Sequence, residues 1–374
     1  MIPYGRQLIE DDDIAAVVAT LRGDWLTQGP HVAEFEAALA AACGAPYAVA
    51  FSSGTAALHA ACHAAELGPG DESMTSALTF AASANCAAYV GATPTFADID
   101  PATWNVSAET VRAALTERTR AVIPVSFAGL AAPLAEIREA VGPETVIIED
   151  AAHALGARGA GGPVGDAVHA DMSVFSFHPV KAVTTGEGGA VTVRDSSLRE
   201  RLLTFRSHGM TKDPERLERP AEGGWYMEQH ELGFNYRITD LQCALGTSQL
   251  GKLERFTEAR NAVAERYRDA LRDVDGLRLP PAAPPGARHA YHLFVVWVRD
   301  RRALYDALRE RGILAQVHYL PVYLHPYYRE TYGYAPGLCP EAEAYYAGCL
   351  SLPCFPSLTE ADQDTVIAAV RELV

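Results

Sequence analysis

Through the first 200 residues, short apolar runs with strand-like alternation take turns with stretches whose apolar positions recur at helical spacing. YAVAF (47–51) precedes a helical run from Gly54, TFADI (95–99) follows another, and RAVIPV (120–125) leads into the helix PLAEIREAV. TVIIED (145–150) ends on a carboxylate, and SVFSF (173–177) and GAVTV (189–193) flank a polar, glycine-rich connection. This order predicts an α/β domain with a mostly parallel central sheet, whose ligands sit beyond the carboxyl ends of the strands. Ser53, Ser126 and Asp150 all follow or end a predicted strand.

After about residue 240 the texture changes. A long helical stretch, LQCALGTSQLGKLERFTEARNAVAERYRDALRD, leads to the Pro-rich connection LPPAAPPGARHA (279–290). Beyond it the pattern predicts a strand (YHLFVVWV), a helix (RALYDALRERG), another strand (ILAQVHY) and a terminal helix. The expected division is a large domain over 1–245, including the N-terminal segment, and a smaller α+β domain over 246–374.

With 374 residues, about half of them apolar, the chain can bury a large core. A net charge of −16 opposes general nucleic-acid binding, which needs a basic surface; an anionic small molecule stays compatible if helix N-termini and local arginines supply the field. No apolar run is long enough to span a bilayer, and MIPYGRQLIEDDDIAA lacks the regions of a signal peptide, so the cytoplasm is the expected compartment. Seven scattered cysteines without CxxC spacing predict free thiols rather than a disulfide framework or a zinc site.

Three constellations carry candidate chemistry. In SSGTAALHAACHAA (52–65) a strand ends, Ser53, Gly54 and Thr55 make the turn, and a helix of small residues begins, with Ser53, Gly54, Thr55 and Ala56 as the candidate phosphate site. Free N–H groups and hydroxyls there suit a phosphate, or Ser53 or Thr55 simply caps the helix. In IIEDAAHALGA (147–157), Asp150 ends a strand expected to be buried, where a carboxylate needs a cationic partner: an arginine or a protonated heterocyclic nitrogen. His153, three residues on, is a second candidate. In SFHPVKAVTTGEGG, Ser176 stands five residues before Lys181. The histidines have no metal-ligand spacing and no GxSxG elbow is present, which leaves the lysine amine as the reactive group; when neutral it can form a Schiff base with a carbonyl. A ligand carrying a phosphate, an aromatic cation and an aldehyde answers all three, and pyridoxal phosphate has them. Phe80, in ALTFAASAN, follows another predicted strand and is placed to cover the ring face.

WLTQGPHVAEFE, FSSGTAALHAA, TFAASANCAAYVGATPTFADID, IIEDAAHALGA, SVFSFHPVKAVTTGEGGAV, RSHGM, GFNYRITDLQCALGTSQL and GILAQVHYLPVY, in this order, resemble the DegT-type nucleotide-sugar aminotransferases across nearly the whole chain. The resemblance implies pyridoxal-phosphate enzymes of the aspartate-aminotransferase fold (fold type I), acting as homodimers with shared active sites. It implies that Lys181 is the Schiff-base lysine and proton carrier, that Asp150 pairs with the pyridinium, and that His153 lies near the phenolic oxygen. Thr55, Ala56 and Ser176 match phosphate contacts, Asn235 matches an asparagine reaching the neighbouring subunit's phosphate, and Phe80 matches the stacking position.

Within the family, RSHGM, GILAQVHYLPVY and SLPC are most similar to enzymes of pseudaminic acid biosynthesis. That similarity implies transfer of an amino group from L-glutamate to a UDP-linked 4-keto-6-deoxy-L-sugar carrying a C2 acetamido group, by a ping-pong transamination. His318, Tyr319 and His325 are candidate substrate contacts. Pro179 departs from the alanine frequent in relatives, and 212–231 is a variable segment expected to shape the sugar or nucleotide pocket. Three other readings compete. A sugar dehydratase on this scaffold has a histidine where Lys181 stands, a non-catalytic sugar-binding regulator needs no reactive lysine, and an aminotransferase for another keto sugar or a keto-cyclitol shares every motif.

Overall fold

The computed structural model describes residues 1–374. Two helices, α1 (Asp11–Arg22) and α2 (Pro30–Cys43), precede the strands β1 (Tyr47–Phe51), β2 (Glu72–Ser76), β3 (Thr93–Ala97), β4 (Thr119–Ile123), β5 (Val146–Asp150), β6 (Met172–Ser176) and β7 (Gly189–Val193). These seven form one sheet in the order β1–β7–β6–β5–β4–β2–β3. β7 alone runs antiparallel, with Gly189 opposite both Phe51 and Ser176. The start of β7 therefore lies beside the carboxyl ends of β1 and β6, and every loop expected to carry chemistry opens at the same edge.

Helices α3 (Gly54–Ala64) and α4 (Ala82–Tyr89) follow β1 and β2. Ala57, Ala60, Ala61, Cys62 and Ala64 of α3 are buried in one cluster with Val174 and Val191 of the sheet. Small side chains let the helix lie close on the strands, which fixes its N-terminus against their ends.

The expected long helix is two, α5 (Asp240–Leu250) and α6 (Leu253–Leu271). At the break the Lys252 amine turns back to the first turn of α1, 2.5 Å from Asp12 and 2.8 Å from the buried Asp13. Helix α5 packs on α1 and α2, while Val263, Ala264, Tyr267 and Leu271 of α6 join the core of the C-terminal part. Residues 245 and 246 thus fall inside a helix that packs with the large part, and the two helices meet at Gly251–Lys252.

That smaller part holds a three-stranded antiparallel sheet of β8 (Leu277–Arg278), β9 (Phe294–Val298) and β10 (Cys349–Leu352), covered by α6, α7 (Arg301–Glu310) and α8 (Glu360–Leu373). The expected strand ILAQVHY is reduced to Ile313–Leu314, paired in parallel with Ile2–Pro3 near the N-terminus. Past one bridge at Gln316 the segment leaves strand geometry, and His318 and Tyr319 line a cavity instead. All seven cysteines are free and buried, and no helix is long and apolar enough to cross a membrane.

Candidate active site

A cavity of about 450 Å³ opens at the carboxyl edge of the sheet, between the large part and the 318–319 segment. Ser53, Gly54, Thr55, Phe80, Asp150, His153, Ser176, Lys181, His318 and Tyr319, ten residues singled out from the sequence, line it.

At one side stands the N-terminus of α3. Ser53 is its N-cap, accepting a hydrogen bond from the Ala56 N–H at 3.1 Å, so Ala56 contributes backbone to the turn while its side chain is buried. A Cβ on Gly54 would lie 2.9 Å from the Ser176 Cβ, and one on Gly189 would lie 2.4 Å from the Ser53 carbonyl oxygen. Three chain segments meet here at a separation only glycine allows. The hydroxyls of Ser53, Thr55 and Ser176 and the free N–H groups of the first turn form a donor-rich cup for a phosphate.

Asp150 ends β5 and is 6% exposed. Its carboxylate accepts from the Ser83 hydroxyl at 2.6 Å and the Ala152 N–H at 3.1 Å, and the nearby cation acting on it is Lys181, at a distance and without an ion pair. Burial raises its pKa, opposed by those two hydrogen bonds and by the charge of Lys181. Such a carboxylate is held ready for a cationic group, and a protonated pyridine nitrogen supplies one. Lys181 leaves the β6–β7 hairpin with its backbone N–H donating to the His178 carbonyl at 2.9 Å. Burial lowers its pKa to about 8, against the pull of Asp150 in the other direction. Near neutral pH a fraction of the amine is therefore unprotonated, the form that attacks a carbonyl carbon.

His153 accepts from the Ala128 N–H at Nδ1 (3.3 Å), which places its own proton on Nε2, 3.3 Å from the Tyr319 hydroxyl. Burial, then the charge of Lys181 and then His318, hold it neutral. The His318 ring bonds the Ser351 hydroxyl at 2.8 Å. Phe80 is 60% exposed, with its ring 6.1 Å from that of Tyr319, so it belongs to the cavity wall and not to the core.

Asn235 and His325 lie outside this lining. Asn235 is exposed and pairs through its backbone with Ser207; His325 caps the helix Pro326–Tyr332. Sequence reasoning missed Tyr4, Thr79, Ser83, Glu187 and His292. Thr79, three residues past β2, lines the cavity, and the preference for positions just after strands could have found it; Ser83, joined to it at 2.7 Å, lies in the first turn of α4 and acts through Asp150. Tyr4 and His292 arrive by long-range packing and carry no local signal.

The donor set fits pyridoxal phosphate: a cup for its phosphate, an unpaired buried carboxylate for its ring nitrogen, an exposed phenylalanine for its face and an amine for its aldehyde. Comparison with known proteins agrees. Residues 7–371 match the DegT/DnrJ/EryC1/StrS aminotransferase family. The chain is 40% identical over 381 residues to the spore coat polysaccharide biosynthesis protein SpsC of Bacillus subtilis, covering 100% of this chain and 97% of that one. Among solved structures it superposes on a protein described as a sugar aminotransferase, Spr1654 of Streptococcus pneumoniae in its PMP form, with TM-score 0.92, 28% identity and coverage of 100% and 99%. It also superposes on Helicobacter pylori PseC, an aminotransferase involved in the biosynthesis of pseudoaminic acid, with TM-score 0.91, 30% identity and coverage of 100% and 98%.

Proposed function

Because the chain belongs to the DegT/DnrJ/EryC1/StrS aminotransferase family, a family of pyridoxal-phosphate-dependent sugar aminotransferases of fold type I, we propose which groups it exchanges. The amino donor is L-glutamate, and the acceptor is the C4 ketone of a UDP-linked 2-acetamido-2,6-dideoxy-L-hexos-4-ulose, the substrate type of pseudaminic acid biosynthesis. The carrying observation is one cavity that gathers the Lys181 amine, the buried Asp150 carboxylate and the Ser53–Thr55–Ser176 cup. Similarity to PseC and to SpsC supports the sugar class.

When bound, the cofactor supplies an electron sink for the carbanion at the reacting carbon. Asp150 keeps the positive charge of the ring nitrogen in place, and its own burial makes that pairing strong. Lys181, with a depressed pKa, takes the α-proton of glutamate in the first half-reaction and delivers a proton to the sugar carbon in the second. The His153 Nε2–H and the Tyr319 hydroxyl orient oxygen atoms at the reacting end, and Phe80 excludes water from the ring face. Release of 2-oxoglutarate before the keto sugar enters makes the kinetics ping-pong.

The working form in this proposal is a homodimer. Tyr89 and Phe234 are large exposed side chains that both touch the His59 ring, Leu232 is exposed two residues before Phe234, and Trp25, Leu26 and Trp225 are exposed elsewhere on the chain. Large apolar side chains left exposed in this way favour a covering partner. A second copy seated there brings its own Asn235 to this chain's cup, a role the residue does not play within its own chain.

Incubation with pyridoxal phosphate, L-glutamate and a panel of nucleotide keto sugars tests the reading. The expected result is 2-oxoglutarate release matched by one aminated UDP-sugar. Turnover confined to another sugar, or to a keto-cyclitol, removes the substrate assignment while leaving the reaction. Unchanged turnover in Lys181→Ala removes the mechanism.

A further inference from the structure

His292 has no part in the chemistry above, yet it is 5% exposed, lines the cavity and leaves its Nδ1 without a hydrogen-bond partner. An unpaired buried nitrogen costs about 1–3 kcal/mol, so hydrogen bonding does not explain where this ring sits. Packing does. Its centroid lies 4.4 Å from that of His153, closer than Phe127 at 5.9 Å or Tyr319 at 6.1 Å, the other rings against His153.

The backbone that delivers His292 is stitched to the turn that holds His153. Ala128 donates its N–H to His153 Nδ1, and its carbonyl accepts from the Leu293 N–H at 3.2 Å. The adjacent Gly129 carbonyl accepts from the Ala290 N–H at 2.9 Å, and a Cβ on Gly129 would lie 2.8 Å from the Tyr291 nitrogen and 3.1 Å from the His153 oxygen. Ala128 at φ 56° and Tyr291 at φ 44° both hold left-handed backbone, a conformation costly for residues with a Cβ. Segment 289–293 of the smaller part and turn 127–129 of the larger part thus form one tight joint, with the two imidazoles as its side-chain contact.

We infer that His292 is a positioning residue for the transamination: its ring, pressed on His153 by this joint, holds that imidazole with Nε2–H on the Tyr319 hydroxyl and away from water. The smaller part of the molecule is thereby coupled to a group in the larger part's site. The titratable groups facing His153 are Lys181 from the hairpin, His318 and Tyr319 from the opposing segment, and His292 itself; after burial, the charges of Lys181 and His318 disfavour its protonation.

The inference rests on the transamination reading for its consequence but not for its test. Histidine C2–H exchange followed by mass spectrometry across pH reads the His153 titration in the intact chain without cofactor, sugar or donor. In the wild type, His153 stays neutral well below the ordinary value of about 6.5. In His292→Ala, its titration is expected to move up toward that value, and turnover of the loaded enzyme to fall by about ten- to a hundredfold with KM for the amino donor unchanged. His292→Phe keeps a flat ring on His153 and is expected to restore both the low titration and most of the turnover; it also serves where the alanine chain does not fold. An unchanged His153 titration in His292→Ala, or a His292→Phe chain that folds while its His153 titrates in the ordinary range, would overturn the role.

Discussion

At the scale of single residues, the site depends on groups kept in protonation states that water would not give them. Lys181 is the clearest. Its folded pKa is about 8 against an ordinary 10.5, so between those values the unfolded chain holds a proton that the folded chain has released. Stability of the cofactor-free protein is therefore expected to rise with pH across that window, a slope that Lys181→Met abolishes in denaturant titrations. Acylation of Lys181 followed by mass spectrometry is expected to show a midpoint near pH 8. Asp150 has the opposite shift, its pKa raised by burial, so as an anion it costs stability in the folded chain. Asp150→Asn keeps an acceptor for Ser83 and removes the buried charge. It is expected to raise the melting temperature of the cofactor-free protein slightly while lowering turnover at least about a hundredfold; a lower melting temperature would contradict the assigned environment. Asp150 was legible in the sequence because it ends an apolar strand; Lys181, in an inter-strand connection where a lysine is ordinarily solvated, stood out only beside the other constellations and the family resemblance.

At the scale of elements, the cup is a meeting of β1, α3, β6 and β7 that glycine makes possible. Gly189→Ala puts a methyl 2.4–2.5 Å from the Ser53 carbonyl and the Gly54 nitrogen. The expected outcome is a loss of about 1–3 kcal/mol in chemical denaturation and a sharp rise in the dissociation constant for the cofactor, measured by equilibrium dialysis. Ser53→Ala removes an N-cap and is expected to cost about 1 kcal/mol, with a weaker but detectable loss of cofactor. Strand and helix periodicity marked most of these elements to within two residues. It failed at Leu250–Leu253, where one helical pattern hides a break at which Lys252 reaches Asp12 and Asp13, and at Val317–Tyr319, where hydrogen bonds of His318 with Ser351 and Tyr345 take the place of an apolar alternation. Both failures have one cause: a contact distant in sequence outweighs local propensity.

At the scale of the molecule, two parts enclose the cavity, and the proposed dimer completes it. Mixing Lys181→Ala chains with Asn235→Ala chains tests the shared site. A mixed dimer carries one site with the lysine of one chain and the asparagine of the other, so random exchange is expected to recover about a quarter of wild-type turnover from two weak variants. Absence of any recovery, with exchange verified by native mass spectrometry, would place Asn235 outside its neighbour's site. Between the two parts of a single chain, the 127–129 turn and the 289–293 segment set how the histidines pack, and no pattern in either stretch announces the other.

The amino-acid sequence alone determined the alternation of strands and helices and the edge at which candidate chemistry gathers, because both follow from periodicity; it also marked Ser53–Thr55 and Asp150 by their place at strand ends, and Lys181 by the absence of any other reactive group and by family resemblance. Only the tertiary structure decided that Ser83, and no cation, satisfies Asp150, that His318 and Tyr319 reach the cavity while His325 does not, and that His292 lies against His153. Those outcomes turn on which distant segments share a few ångströms of space. Local spacing carries no information about that until the chain has folded.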